Sequence, residues 1–178
     1  MSTAVLSIGS NLGDRLAHLR GAVAGLGDAV LRVSGVYETP PWGDADQPSY
    51  LNAAVLVEGP LTPHAWLAEA AELENAAGRV RDPDRRFGPR TLDVDVIAVW
   101  HDDGTPVVIG EAAPEASSAA LTLPHPRAHL RAFVLRPWLD LDSDAELPGH
   151  GSVAALLRSP AVAADLDGVI ERPDLTLR

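Results

Sequence analysis

The chain contains no cysteine, which removes disulfides, thiolate metal centres and cysteine nucleophiles together. It contains no lysine either. A Walker-type phosphate loop, whose lysine reaches the β- and γ-phosphates, is therefore excluded, as is Schiff-base chemistry. No apolar run approaches the roughly eighteen residues of a membrane-spanning helix. The opening Met1-Ser2-Thr3-Ala4-Val5-Leu6-Ser7-Ile8-Gly9 lacks the basic start of a signal peptide and reads as a strand. Positive charge is scarce: 14 basic against 25 acidic residues leave a net charge of −11. Broad nucleic-acid binding, which neutralises phosphates with basic surface, does not fit that balance. What is present, 46% hydrophobic and 22% charged residues over 178 positions, is the composition of a globular protein. A single cytoplasmic domain over 1–178, monomeric and without nucleic-acid or membrane partners, is expected, and it is long enough to bury a core.

Against the acidic background, five of the arginines fall within twelve residues: Arg79, Arg81, Arg85, Arg86 and Arg90. They lead into Asp93 and Asp95, one residue apart. Forked guanidinium groups bind phosphate, and Mg²⁺ takes one or two carboxylates plus phosphate oxygens. The block therefore points to a site for a metal-bound polyphosphate. The competing reading is a solvated charged loop before an ordinary strand. Side chains of a strand alternate faces, so Asp93 and Asp95 share one face while Leu92, Val94 and Val96 take the other. The strand continues as Val96-Ile97-Ala98-Val99, a buried run, and acids on a buried strand need a partner. Arg79 could equally complement a helix C-terminus, and Arg81, Arg85 and Arg86 could face solvent. Gly88-Pro89 makes a turn that aims Arg90 at the aspartate strand.

Elements follow from periodicity and punctuation. Ala4–Ser10 reads as a strand. Leu16, Leu19, Val23 and Leu26 recur at helical spacing, with Gly27 as the stop. Ala29–Thr39 reads as one strand, with Leu31, Val33, Gly35 and Tyr37 on one face. A proline-stiffened loop over 40–49 precedes the strand Leu51–Glu58. The second helix is the best specified, with Thr62 as N-cap, Pro63 at the first position, Leu61 and Trp66 as a hydrophobic staple, and Gly78 as the close. The strand Leu92–Trp100 follows, then a flap or hairpin insertion over 101–120. Leu121–Pro124 is extended, Leu130–Leu139 is a helix ended near Pro137, and Val153–Leu157 is a last short helix. The tail after Asp165 carries no strong pattern. The order β-α-β-β-α-β is that of a ferredoxin-like plait, an α/β (α+β) fold with a mainly antiparallel sheet.

Other candidates are weaker taken singly. Tyr50 and Asn52 share a strand face, where a phenol can stack on a flat ring and an amide can pair with its edge. A cross-strand aromatic contact explains them equally. Trp42 and Phe133 are further aromatic candidates. His125 is held between Pro124 and Pro126, with Arg127 and Arg131 beyond it. It is a phosphate contact, a general acid or a structural turn residue.

Several segments together resemble the 6-hydroxymethyl-7,8-dihydropterin pyrophosphokinase family. They are Gly9-Ser10-Asn11, Thr39-Pro40-Pro41-Trp42-Gly43, Gln47, Tyr50-Leu51-Asn52-Ala53-Ala54 and Gly78-Arg79-Val80-Arg81. Arg86-Phe87-Gly88-Pro89-Arg90-Thr91-Leu92-Asp93-Val94-Asp95-Val96 and Leu123-Pro124-His125-Pro126-Arg127 with Arg131-Ala132-Phe133-Val134-Leu135 complete the match, which spans roughly 3–140. The resemblance implies transfer of the terminal diphosphate of ATP, the co-substrate, onto a pterin alcohol in folate biosynthesis, with release of AMP. It implies a three-layer α/β/α arrangement around the ferredoxin-like core, and two Mg²⁺ ions on Asp93 and Asp95. The pterin would meet Tyr50, Phe133, Asn52 and the stretch Thr39, Pro40, Trp42 and Gly43. ATP would meet Glu74, Arg81, Arg86, Val96, Thr122, His125 and Arg131, with Arg79 and Arg90 gripping the transferring phosphates as catalytic residues. Three positions depart from the family pattern. Phe87 stands where many members have a tryptophan, Ala120 stands where an arginine can occur, and the 101–120 segment is long. Two other classes compete: a non-catalytic ferredoxin-like ligand-binding module and a metal-dependent phosphohydrolase.

Overall fold

The computed structural model describes residues 1–80, 82–85, 87–110 and 120–178, so the expectations placed on Arg81, Arg86 and 111–119 lie outside the described residues. The chain runs β1 (Ser2–Ser10), α1 (Arg15–Leu26), β2 (Val30–Val33), β3 (Tyr37–Thr39), β4 (Tyr50–Gly59), α2 (Pro63–Ala76) and β5 (Asp93–His101). It continues as α3 (Ala132–Leu141), β6 (Glu146–Leu147), β7 (Gly151–Ser152), α4 (Val153–Leu157), α5 (Pro160–Leu166) and β8 (Ile170–Glu171). The main sheet has the order β5-β1-β4-β3-β8, with β2 also on β4, and every neighbouring pair is antiparallel. The ferredoxin-like order expected from the sequence is the one observed. No helix among the described residues is long and apolar enough to cross a membrane.

Strand alternation sorts the core into two layers. Ala4, Leu6 and Ile8 of β1, with Leu51, Ala53, Val55 and Val57 of β4, pack under α1 and α2. Val5, Ala54, Ile97 and Ala98 face the opposite way, against Val134, Leu135 and Trp138 of α3 and residues of α4 and α5. The result is the expected α/β/α sandwich. The β1–β5 register shifts between Val5 and Leu6, and the extra residue is Ile97. This bulge turns the consecutive Ile97 and Ala98 to the same face.

Helix boundaries follow the local chemistry. The Asp14 side chain caps α1 by accepting from Ala17 N at 3.1 Å, and Thr62 does the same for α2 through Ala65 N at 3.1 Å. The staple residue Trp66 is buried, and its indole N–H donates to Ser2 Oγ at 2.8 Å. That hydroxyl in turn donates to Leu61 O at 2.6 Å. After α2, Gly78 adopts φ +73°. Its N–H reaches Asn75 O, and the Arg79 N–H reaches Glu74 O at 3.1 Å. This paired closure needs a left-handed residue, hence glycine.

Three expectations are corrected. The segment Ala29–Thr39 is two strands, because Ser34, Gly35 and Val36 bulge out between Val33↔Val55 and Tyr37↔Asn52. Ser34 Oγ takes over a ladder position, accepting from Ala54 N at 2.8 Å, and Leu31 is left exposed. The helix around Phe133 does not stop at Pro137. It runs over Ala132–Leu141 with the proline inside, since Trp138 and Leu141 beyond it are both buried. The tail after Asp165 is docked: β8 pairs with β3, and Leu177 reaches the core under α1.

Strand β3 is tied to α3 through Asp140. One carboxylate oxygen accepts from Tyr37 Oη at 2.8 Å and from Gly35 N at 3.1 Å, while Arg136 contacts the other at 3.2 Å. Burial, and then the bond to Asp140, push the Tyr37 phenol far above its ordinary range, so it stays a donor. Tyr37→Phe removes this charge-assisted bond and is expected to lower the unfolding free energy by about 1.5–3 kcal/mol. Urea denaturation monitored by circular dichroism measures it, and a loss below about 0.5 kcal/mol would show that the tie is not structural.

Candidate active site

On the α3 face, α3 covers only part of the sheet, and its N-terminus looks onto an open stretch built from four strands. Tyr37, Asn52, Gly9 and Asp93 form one cross-strand row there. Thr39 and Tyr50 pair beside it, and Asp95 lies opposite Ser7. Asn52 Nδ2 donates to Thr39 Oγ1 at 2.6 Å, so the amide is fixed on the floor. Gly9 is required at the middle of the row. A Cβ there would stand 2.6 Å from Asn52 Oδ1 and 3.4 Å from the Tyr50 ring. Above this floor a cleft is lined by Thr39, Pro40, Trp42, Tyr50, Asn52 and Phe133, joined by Phe87, Arg90, Asp93 and Arg131.

Asp93 and Asp95 project from the same face of β5, as alternation requires. Arg79 and Arg90 each take one oxygen of Asp93, at 3.0 and 2.9 Å, and Arg131 stands 3.5 Å from Asp95. Arg79 is also paired with the buried Glu74, which accepts from Val94 N at 3.1 Å. Withdrawal from water, and then the neighbouring Asp93 carboxylate, push the Asp95 carboxyl well above the ordinary carboxylate range. A cation added beside the pair relieves both effects. Arg79 Nε and Arg131 Nε are buried without a hydrogen-bond partner among the described residues. Both donors stand ready for an incoming acceptor.

Two loops frame the site and are tied together. Arg85 donates from Nε and Nη2 to one oxygen of Asp44, at 2.8 and 2.6 Å, and to Asp46 O at 2.9 Å. Gln47 Nε2 reaches Phe87 O at 2.6 Å, and Trp42 meets the Phe87 ring edge-on at 5.6 Å. Asn11 joins both loops to β1, since its amide N–H₂ donates to Gln47 and to Pro48 O while its carbonyl accepts from Arg90 N at 2.8 Å. Gly43, at φ +92°, packs on Phe87 so closely that a Cβ would lie 2.8 Å from the ring. Arg131 lies 4.7 Å from the Trp42 ring centroid and 5.5 Å from that of Phe133.

Beyond the acids, along the outer edge of β5, runs a wide groove of about 810 Å³. Its lining includes His64, Glu74, Asn75, Arg79, Asp95, His125 and Arg127. His125 is anchored by its N–H to Ile97 O at 2.8 Å, and its Nδ1 accepts from Arg127 N at 3.1 Å. The ring is therefore the Nε2–H tautomer. Burial, then the nearby Arg131 and Arg127, bring its pKa down to about 4.

Of the expected site residues, Thr39, Pro40, Trp42, Tyr50, Asn52 and Phe133 converge on the cleft, and Glu74, Arg79, Asp95 and His125 on the groove. Arg90, Asp93 and Arg131 belong to both. Gly43 sits behind Phe87 instead of in the cleft. The Val96 side chain is buried under α1 and α2, which leaves only its backbone at the strand edge. Thr122 follows Leu121 in the segment bridged to Ile109 and does not line the groove. Sequence reading gave Arg85 no partner and assigned no role to Asp44, His64 or Asn75. These contacts join residues some forty positions apart or lie on a helix surface, with no local signal.

A family model described as 7,8-dihydro-6-hydroxymethylpterin-pyrophosphokinase (HPPK) matches residues 5–143. A 2-amino-4-hydroxy-6-hydroxymethyldihydropteridine pyrophosphokinase of Mycobacterium tuberculosis is 47% identical over 181 residues, covering 99% of this chain and 94% of its own. The Mycobacterium leprae protein of the same description is 58% identical over 152 residues, covering 85% and 78%. Among solved structures, an HPPK-DHPS in complex with substrates superposes with a TM-score of 0.60 at 10% identity, over 87% of this chain. Wild-type Plasmodium falciparum HPPK-DHPS with SDX-DHP gives 0.55 at 15%, over 88%. This chain spans 42% and 43% of those two chains, and the likeness is one of fold.

The His125 geometry yields a prediction. Because the folded state resists protonating this ring, its contribution to stability is complete above pH 6.5 and is lost as pH falls toward 4. Nitrogen-15 NMR should show His125 as the neutral Nε2–H tautomer at pH 5.5, where an ordinary histidine is mostly charged. An imidazolium at that pH would contradict the assignment. With its fold and its matched sequence alike, the chain belongs to the 7,8-dihydro-6-hydroxymethylpterin-pyrophosphokinase family, enzymes of folate biosynthesis that move a diphosphate from ATP to a hydroxymethyldihydropterin.

Proposed function

We propose that the cleft takes the pterin ring, the groove takes ATP, and Asp93 and Asp95 would hold two Mg²⁺ ions. One observation carries this reading: Phe87, Arg90, Asp93 and Arg131 line both cavities, so cleft and groove meet at the acids and guanidinium groups. The ring would lie between Tyr50 and Phe133, with the fixed Asn52 amide at its edge. The neutral His125 would offer Nε2–H to a phosphate oxygen, and Arg131 Nε and Arg79 Nε are further donors of the same kind.

The donor set fits magnesium, since both side chains offer only hard oxygen atoms. Among the described residues no third histidine or carboxylate gathers with them as in an all-protein cage. That leaves coordination positions for phosphate oxygens and water, the usual magnesium arrangement with nucleotides. When bound, Mg²⁺ would supply charge neutralisation at the phosphate oxygens. The chain's own groups do the rest. Arg79 and Arg90 flank Asp93 and can turn to the transferring phosphates, while the loops joined by the Arg85–Asp44 and Gln47–Phe87 contacts would close the junction off from water. The hydroxymethyl oxygen attacks the β-phosphorus in line, and its proton is lost to solvent as the new O–P bond forms. The bond from that phosphorus to the α–β bridging oxygen breaks, and AMP leaves.

The decisive measurement is AMP formation from ATP that strictly requires the pterin alcohol. Inorganic phosphate released without pterin would favour a phosphohydrolase instead. Asp95→Ala should lower kcat by about a thousandfold, corresponding to about 4 kcal/mol of lost transition-state stabilisation, with the circular dichroism spectrum retained. Activity surviving at saturating Mg²⁺ would remove the metal assignment. Arg90→Ala should depress kcat more than it raises the KM for ATP, and an effect confined to KM would deny Arg90 a catalytic role.

A further inference from the structure

The family match ends at residue 143, yet the segment after it reaches the wall of the cleft from behind. Strand β3, which carries Thr39 and leads into Pro40 and Trp42, is only three residues long. Its outer edge is covered by β8, in the register Tyr37↔Glu171 and Glu38↔Ile170, and Arg172 N donates to Val36 O at 2.8 Å. Between α5 and β8 the chain turns on Gly168, whose N–H reaches Asp165 O at 3.1 Å. The turn presses on the cleft loop: a Cβ at Gly168 would stand 3.2 Å from both Cδ and Cγ of Pro40. A second cavity, about 180 Å³, lies between α5 and this loop. Thr39, Pro40, Trp42 and Phe133 line it as well as the cleft, so the wall between them is one side chain thick.

We propose that the α5–β8 segment is the rear support of the pterin cleft, with Gly168 a positioning residue that sets where Pro40 and Trp42 stand. A flat ring held between side chains tolerates little displacement of its walls, and a misplacement of about 1 Å can cost up to about a hundredfold in rate. The groove for ATP shares no residue with the second cavity, so a disturbance at Gly168 reaches the cleft directly and the groove only through the contacts of Trp42 with Phe87 and Arg131. This inference rests on the cleft being the pterin site.

Steady-state kinetics of Gly168→Ala and Gly168→Val test it. Gly168 has no left-handed φ, so neither side chain strains the backbone there. The valine variant should raise the KM for the pterin by about tenfold and leave the KM for ATP within about twofold, with alanine intermediate. If the valine chain does not fold, the alanine variant carries the same comparison. An unchanged pterin KM, or both KM values rising in parallel, would overturn the role of Gly168 while wild-type turnover stays pterin-dependent. Wild-type AMP formation without pterin would instead overturn the cleft assignment itself.

Discussion

Two carboxylates at alternate positions on one strand face cannot both sit charged and half withdrawn from water without a cation beside them. Asp93 and Asp95 are placed that way by β5, and the surrounding fold supplies guanidinium groups from three directions. Arg79 arrives because Gly78 closes α2 in a left-handed turn, and Arg90 because Asn11 accepts its backbone N–H. Arg131 arrives because it is the residue that opens α3. Lysine would serve poorly at the shared positions. Its ammonium is a compact point charge, whereas a planar fork can hold a carboxylate with one nitrogen and keep another donor for a phosphate. The orphaned Nε atoms of Arg79 and Arg131 are that spare capacity.

The sheet face is divided between structure and chemistry. One half is covered by α3 with α4 and α5 behind it, where Val5, Ala54, Ile97 and Ala98 are apolar. The other half carries Tyr50, Asn52, Gly9, Asp93 and Asp95 in the same strands and the same alternation. The Ile97 bulge stands at the border on β5, where Ile97 follows the acids on the same face and Ala98 joins it in the core while pairing with β1 continues. Gly9 marks the border on β1, where any side chain would drive out the Asn52 amide.

Much of this was legible in the residues because it depends on periods of two or 3.6. The common face of Asp93 and Asp95, the capped and stapled α2, and the strands β1, β4 and β5 all follow from local pattern. The interruption between β2 and β3 was not legible, because it turns on Ser34 Oγ and on Asp140, more than a hundred residues from Gly35. A proline rule misplaced the end of α3. The missing N–H at Pro137 is a local cost, and burial of Trp138 and Leu141 outweighs it. The tail looked patternless because its strand is two residues long and gains its order from the edge of β3. Alternation put Tyr50 and Asn52 on one strand face, and only the resemblance brought Phe133 to them. It could not place Gly43 behind Phe87, since that position depends on a φ of +92°.

An acidic chain that binds an anionic nucleotide poses an electrostatic problem that distance resolves. Screening at physiological ionic strength confines charge effects to about 8 Å, so the net charge of −11 acts mainly through whatever lies near the phosphates. The groove proposed for them is lined by Arg79, Arg90, Arg127 and Arg131, with Arg85 in the adjoining loop, against Glu74, Asp93 and Asp95. All three of those acids have an arginine partner, the loosest being Asp95 at 3.5 Å from Arg131, and a divalent cation on the proposed site would neutralise the pair on β5. The local field therefore favours a metal-bound polyphosphate over a bare one. On the proposed reading, a metal held by the acids would leave the arginines of Asp93 free to turn to the phosphates, which would couple metal occupancy to the grip on the transferring group.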